Sequence, residues 1–354
     1  MKTKKFSLIF ILLAASLLLT ACGGSMSASS WPGITTDQTT VYAASGGQFW
    51  ALKPGDGSLV WKYPEKADAR KPFYASPTLS ADGQLLIGDY AQTFYSFDPK
   101  TGTVKWTFGD AKGRYIASAL ATDTTIYAPN ADGSMYALDL NGKLLWKFET
   151  DKALWSKPVL EGNTLYLSSM DHNLYAVDAT SGKQIWKVDL GGAVLGSAAI
   201  SSDGKSIFVG TIGKELISVA ADSGKIQWRL ATGGSIWAQP VVIDQTVYVG
   251  NLAGEFVAVD AATGKQTWKV QPGGAILGSA LVDGDHLVFT TESGLLVSAG
   301  LDGNIQWNRT VSGKLYTTPV KVNDRYVVGL TGADQLLVAL DENGNQVWTF
   351  TPSK

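Results

Sequence analysis

The stretch Ala258-Val259-Asp260-Ala261-Ala262-Thr263-Gly264-Lys265-Gln266-Thr267-Trp268 decides how this chain folds. It joins a small residue that ends a β-rich run, an Asp, a Thr-Gly turn, and a Trp four residues after the glycine. The same pattern recurs eight times, as Gly57/Trp61, Gly102/Trp106, Gly142/Trp146, Gly182/Trp186, Gly224/Trp228, Gly264/Trp268, Gly303/Trp307 and Gly344/Trp348. Successive tryptophans lie 45, 40, 40, 42, 40, 39 and 41 residues apart. A period near forty residues marks a repeat architecture, which must be settled before any single residue is interpreted.

Within one unit, Pro240-Val241-Val242-Ile243, Val247-Tyr248-Val249-Gly250, Phe256-Val257-Ala258-Val259 and Thr267-Trp268-Lys269-Val270 are short β-rich runs separated by turn residues. Four such runs make an antiparallel meander. No sustained 3.6-residue apolar period follows Cys22, so no helix is expected. Four strands per repeat, eight times over, predict an all-β, eight-bladed β-propeller over residues 31–354. Each Trp should cover the Ala or Ser strand of its own blade and the turn glycine of a neighbour, which makes the eight indoles core residues. Blade one starts at Pro32-Gly33-Ile34 and blade eight ends at Val347-Trp348-Thr349-Phe350, so each blade should be continuous chain. Ring closure would then rest on face packing, with residues 25–31 available at the seam.

Composition agrees. Only 17% of residues are charged, glycine numbers 39, and the formal charge is −2. No basic field invites nucleic acid. Met1 to Lys5 carries three lysines, Phe6 to Leu19 is apolar, and Leu19-Thr20-Ala21-Cys22 follows. This reads as a signal peptide over 1–21. The Leu-Thr-Ala-Cys segment resembles the bacterial lipobox, which implies lipidation of Cys22, the single cysteine of the chain. Residues 22–30 would form a lipidated tether, since Gly23-Gly24-Ser25-Met26-Ser27-Ala28-Ser29-Ser30 is small and flexible. The expected location is the cell envelope, on the periplasmic side of the outer membrane in a diderm cell, with the body monomeric.

The Ala-x-Asp-x-x-Thr-Gly-x-x-x-Trp unit resembles the tryptophan-docking repeat of the PQQ-like (quinoprotein-type) β-propeller family. Together with the lipobox and the eight blades, the chain is similar to the BamB-type lipoproteins of outer-membrane assembly. That resemblance implies a non-enzymatic scaffold whose partners are envelope proteins, including a β-barrel assembly protein. The partner-binding loop of that group contains Leu and Arg, whereas Gly191-Gly192-Ala193-Val194-Leu195-Gly196-Ser197 stands here without arginine. Two other readings stay open: a PQQ-dependent oxidoreductase, and an envelope sensor or ligand-binding propeller. Quinoprotein dehydrogenases of the family typically place a vicinal disulfide against the cofactor, which a chain with one cysteine cannot form. No cofactor and no metal is therefore expected.

Catalytic signatures are sparse. His172 and His286 lie in separate turns and do not read as a zinc pair. Asp98, Asp139, Asp178, Asp260 and Asp341 sit in repeat turns, where local hydrogen bonding is their expected work. Two features break the ring's symmetry. Tyr74, Trp155, Trp237 and Tyr316 stand three residues before Pro77, Pro158, Pro240 and Pro319, whereas Ile116, Leu195 and Leu277 stand three before an alanine. This alternation either fills a wide hub or lines an aromatic funnel for a flat or peptidic ligand. The loops before blades two to four are charged, with Arg70, Lys71 and Arg114 on a basic flank. That flank is either solvated surface or a partner dock.

Overall fold

A computed structural model describes residues 31–353; the expected signal peptide over 1–21, Cys22 and the expected tether over 22–30 lie outside them. The described chain contains no helix and closes into eight antiparallel sheets. Blade six is typical, with Val241–Ile243, Thr246–Gly250, Phe256–Asp260 and Gln266–Val270 running from the channel to the rim. Its two middle strands are buried on both faces because a neighbouring blade packs on each side, so they read as unbroken apolar runs. The outermost strand, covered less, alternates.

In every blade the small residue faces its own tryptophan, as Ala258 faces Trp268, and a β-bulge follows at once. The bulge precedes a turn that Asp260 organises, accepting hydrogen bonds from Thr263 N at 2.8 Å and Thr263 Oγ1 at 2.6 Å. Gly264 closes it with φ +71°, a left-handed conformation that disfavours any side chain. Asp98, Asp139, Asp178 and Asp341 take backbone N–H groups in the same way.

The cores lie between blades. At the seam, Ile34, Val41, Ala43 and Leu52 of blade one pack with Val322, Val327, Leu337 and Trp348 of blade eight. No strand is exchanged, so the ring closes by face packing, as the sequence leads one to expect. Seven of the eight indoles meet the glycine turn of the following blade, among them Trp61 on Gly102, Trp186 on Gly224, and Trp348 on Gly57 across the seam. Seven indole N–H groups donate to a carbonyl in that turn, at 2.8–3.1 Å. Placing all eight indoles in the core needs correcting. Trp61 and Trp348 are buried, while Trp106, Trp146, Trp186, Trp228, Trp268 and Trp307 are half-buried, because each caps an outer strand whose far edge meets solvent.

The joint between blades seven and eight is built differently. Gly344 is covered by the Arg309 side chain, and the Trp307 N–H has no carbonyl partner among the described residues. Ion pairs cross this joint instead, Lys314 to Glu292 at 2.7 Å and Lys321 to Asp283 at 2.8 Å. Tyr326 adds a hydrogen bond to Asp283 at 2.5 Å. Among the described residues no other joint carries a blade-to-blade ion pair.

Candidate functional site

The inner strands start at one end of the central channel and run down it. Tyr74, Trp155, Trp237 and Tyr316 form one layer there with Ile116, Leu195 and Leu277 between them, as the alternation predicts. Trp31 fills the eighth position, since Thr35 pairs with Tyr42 as Val241 pairs with Tyr248. Its ring centroid lies 5.8 Å from Trp237 and 5.7 Å from Tyr316, so the indole reaches across the mouth. With Tyr90, these side chains enclose a cavity of about 340 Å³. Sequence reasoning missed Trp31, which precedes Ile34 instead of a Pro or Ala, and Tyr90, which sits in a hairpin turn. The Trp155 and Trp237 indole N–H groups are buried without a hydrogen-bond partner among the described residues.

Below this layer the same side chains roof a second space of about 310 Å³, whose walls are polar. Two residues beyond seven of the layer positions stand Ser76, Ser118, Lys157, Ser197, Gln239, Ser279 and Thr318, and Gly33 follows Trp31. Hydrogen bonds from blade to blade fix this collar. Gln239 N donates to Ser279 Oγ at 3.0 Å, Ser279 N to Thr318 Oγ1 at 3.0 Å, and Ser118 Oγ to Ser76 O at 2.8 Å.

The basic flank does not form one cluster. Arg70 is held to Asp68 at 2.9 Å, and their mutual hydrogen bond raises the guanidinium pKa while lowering the carboxyl. Lys71 lines a separate cavity of about 190 Å³ with Tyr63 and Tyr95. Arg114 joins the channel mouth: its guanidinium lies 4.4 Å over the Tyr90 ring and donates to Tyr90 Oη at 2.6 Å. Tyr90 in turn stacks on Tyr74 with centroids 4.4 Å apart. Arg114 is thus the outer plate of a cation–π stack at the mouth. Gly191 to Ser197 turns inward, with Val194 in the core and Leu195 in the channel layer.

Residues 85–353 match the β-propeller family described as "Beta-alanine-activating enzyme, beta-propeller". The chain belongs to this propeller family. The crystal structure of BamB from Moraxella catarrhalis superimposes with a TM-score of 0.68 at 18% identity, covering 88% of this chain and 91% of that one. Its fold is that of the BamB-like, PQQ-like propellers. In sequence the chain is 26% identical over 166 residues to the outer membrane protein assembly factor BamB of Moranella endobia, and 27% identical over 174 residues to the tetrathionate hydrolase of Acidithiobacillus ferrooxidans. The matches take in 44% and 40% of this chain and 42% and 35% of those proteins, so the chain spans less than half of either relative.

The channel of this propeller-family member does not suit a calcium-borne quinone. A hard dication takes oxygen ligands, carboxylates above all. Neither channel cavity has a carboxylate in its lining, and the single charge there is the cation of Lys157. Among the described residues no three His, Cys, Asp or Glu converge on a metal position. His172 and His286 lie in blades four and seven; His286 turns to Asp285 at 3.2 Å.

Proposed function

We propose that the chain is a non-enzymatic protein-binding scaffold of the bacterial cell envelope, tethered to the membrane through a lipid on Cys22 and serving outer-membrane protein assembly. The observation that carries this reading lies on the rim. Val60, Leu144, Leu145 and Ile185, on the outermost strands of blades one, three and four, are 48%, 38%, 51% and 52% exposed. The corresponding residues before the docking Trp of blades five, six and seven are Gln227, Thr267 and Gln306, while blades seven and eight each expose a single aliphatic on that strand, Ile305 and Val347, 42% and 44% exposed. An outermost strand leaves backbone groups unpaired, and with aliphatic side chains on it an extended partner can add as a further strand. The fold shared with BamB and the lipobox-like N-terminus support the envelope assignment.

The test is site-specific photo-crosslinking from position 145 in the full chain, in cells. A discrete protein adduct is expected, lost in Ile185→Glu and kept in Thr267→Glu. Equal adducts in both variants, or none in the parent, would refute the rim. Reversing Arg70, Lys71 and Arg114 together asks separately whether the charged loops contribute. The similarity to tetrathionate hydrolase keeps an enzymatic reading in view. PQQ and calcium mixed with the protein should give no new absorbance band and no dye-linked oxidation.

A further inference from the structure

Among the described residues Lys157 is the one charged side chain in the polar collar, where six other blades supply Ser, Thr or Gln and blade one Gly33. Lys157 is exposed to the water of the channel, and the walls around that channel lower its pKa by desolvation, with no charged group to offset it. An ammonium held in that way is stabilised by any anion that enters. Two hydroxyls elsewhere in the collar, on blades seven and eight, keep a proton to donate. Ser279 Oγ and Thr318 Oγ1 each accept a backbone N–H, which leaves their O–H protons for an acceptor in the channel. Directly above lies a roof of planar apolar groups, among them Trp155, two residues from Lys157 and lining the same cavity. Residues i and i+2 of extended chain are spaced by roughly 7 Å. A ring against the roof therefore places a carboxylate one or two bonds away from it in the collar.

We propose that the channel binds a small aryl carboxylate, its carboxylate on Lys157 within the polar collar, its ring against the Trp155–Trp237 layer. The assignment goes beyond the scaffold reading and does not depend on it, since it concerns the axis and not the rim. The carboxylate is the ligand's, which suits a wall that carries a cation and no acid. The cavity of about 310 Å³ has room for one aromatic ring with a short acid arm.

Calorimetric titration of the full chain with phenylacetate, phenylacetamide and acetate tests the proposal. Phenylacetate should bind at one site. Phenylacetamide, which keeps the ring and loses the charge, should bind roughly ten-fold more weakly or worse. Acetate, which keeps the charge and loses the ring, should fall as far. Lys157→Met should reduce phenylacetate affinity by about the same factor, and Lys157→Arg should hold it within a few-fold. Thermal melts of both variants report folding, and the three-ligand comparison on the unaltered protein needs no variant at all. Absence of phenylacetate binding, equal binding of the amide, or an unaffected Lys157→Met would each overturn the assignment.

Discussion

Trp348 lies flat against Gly57, so that a Cβ added to the glycine would fall 2.6 Å from Cε3 of the indole. The indole N–H also donates to Pro54 O at 2.8 Å. The last blade therefore docks on the first through the contact used at six other joints, and the ends of the chain need no shared sheet. Gly57→Ala should cost about 2–4 kcal/mol, combining left-handed strain with a displaced ring. Gly344→Ala should cost only ~1–2 kcal/mol, because the flexible Arg309 side chain can move aside. Urea denaturation of the two variants side by side checks the order.

The indoles themselves should differ in the same sense. Trp186→Ala removes a half-buried ring and its hydrogen bond to Ala221 O at 3.1 Å, and should destabilise by about 2–4 kcal/mol. Trp307→Ala should cost about half as much, since no hydrogen bond to the next blade is lost. Equal melting shifts for both would argue against the docking account.

Two aspartates should pull the pH profile in opposite directions. Asp171 accepts from Tyr175 Oη at 2.7 Å and from Asn173 N at 3.0 Å. Burial alone would raise its pKa, but these bonds outweigh it and the pKa is lowered. Its contribution is present above the ordinary carboxyl range and is lost as pH falls through the lowered value. Asp89 is fully buried, and desolvation raises its pKa despite bonds from Thr93 N and Tyr95 Oη. Its contribution is complete at low pH and is lost as pH rises past the raised value. Stability measured from pH 3 to 8 should become less acid-sensitive in Asp171→Asn. In Asp89→Asn it should lose a component that weakens the parent toward neutrality.

Trp31 covers the channel mouth without entering any blade core. Trp31→Ala should leave the melting temperature within a few degrees of the parent while admitting quencher to Trp155 and Trp237. Acrylamide quenching of indole fluorescence measures this, and unchanged quenching would place the lid elsewhere.

The repeat was legible because each indole must sit at a fixed distance from a turn where only glycine tolerates the ring. That constraint shows in one chain without relatives. The channel layer was legible for the same reason, since its positions stand at a constant offset from the inner strands. Trp31 was hidden because its unit departs from the Pro/Ala marker and borders the tether. Lys157 left a readable trace, standing where six other blades supply Ser, Thr or Gln, yet one lysine among many draws no notice until the fold places it in the channel. The Arg309 substitution at Gly344 left no trace, because Gly344 and Trp307 both keep their places in the pattern.

That joint gives the ring a preferred place to part. All joints share an apolar core, which added electrolyte does not weaken, and between blades seven and eight it includes Val288, Leu296, Tyr326 and Val338. That joint alone adds Lys314–Glu292 and Lys321–Asp283 where the others dock an indole on a glycine turn. A hoop with a single ionic clasp acquires a polarity its repeats do not have. Raised ionic strength should loosen amide exchange first in Arg325–Thr331, and a mechanical pull should peel blade eight away while the rest of the circle still holds.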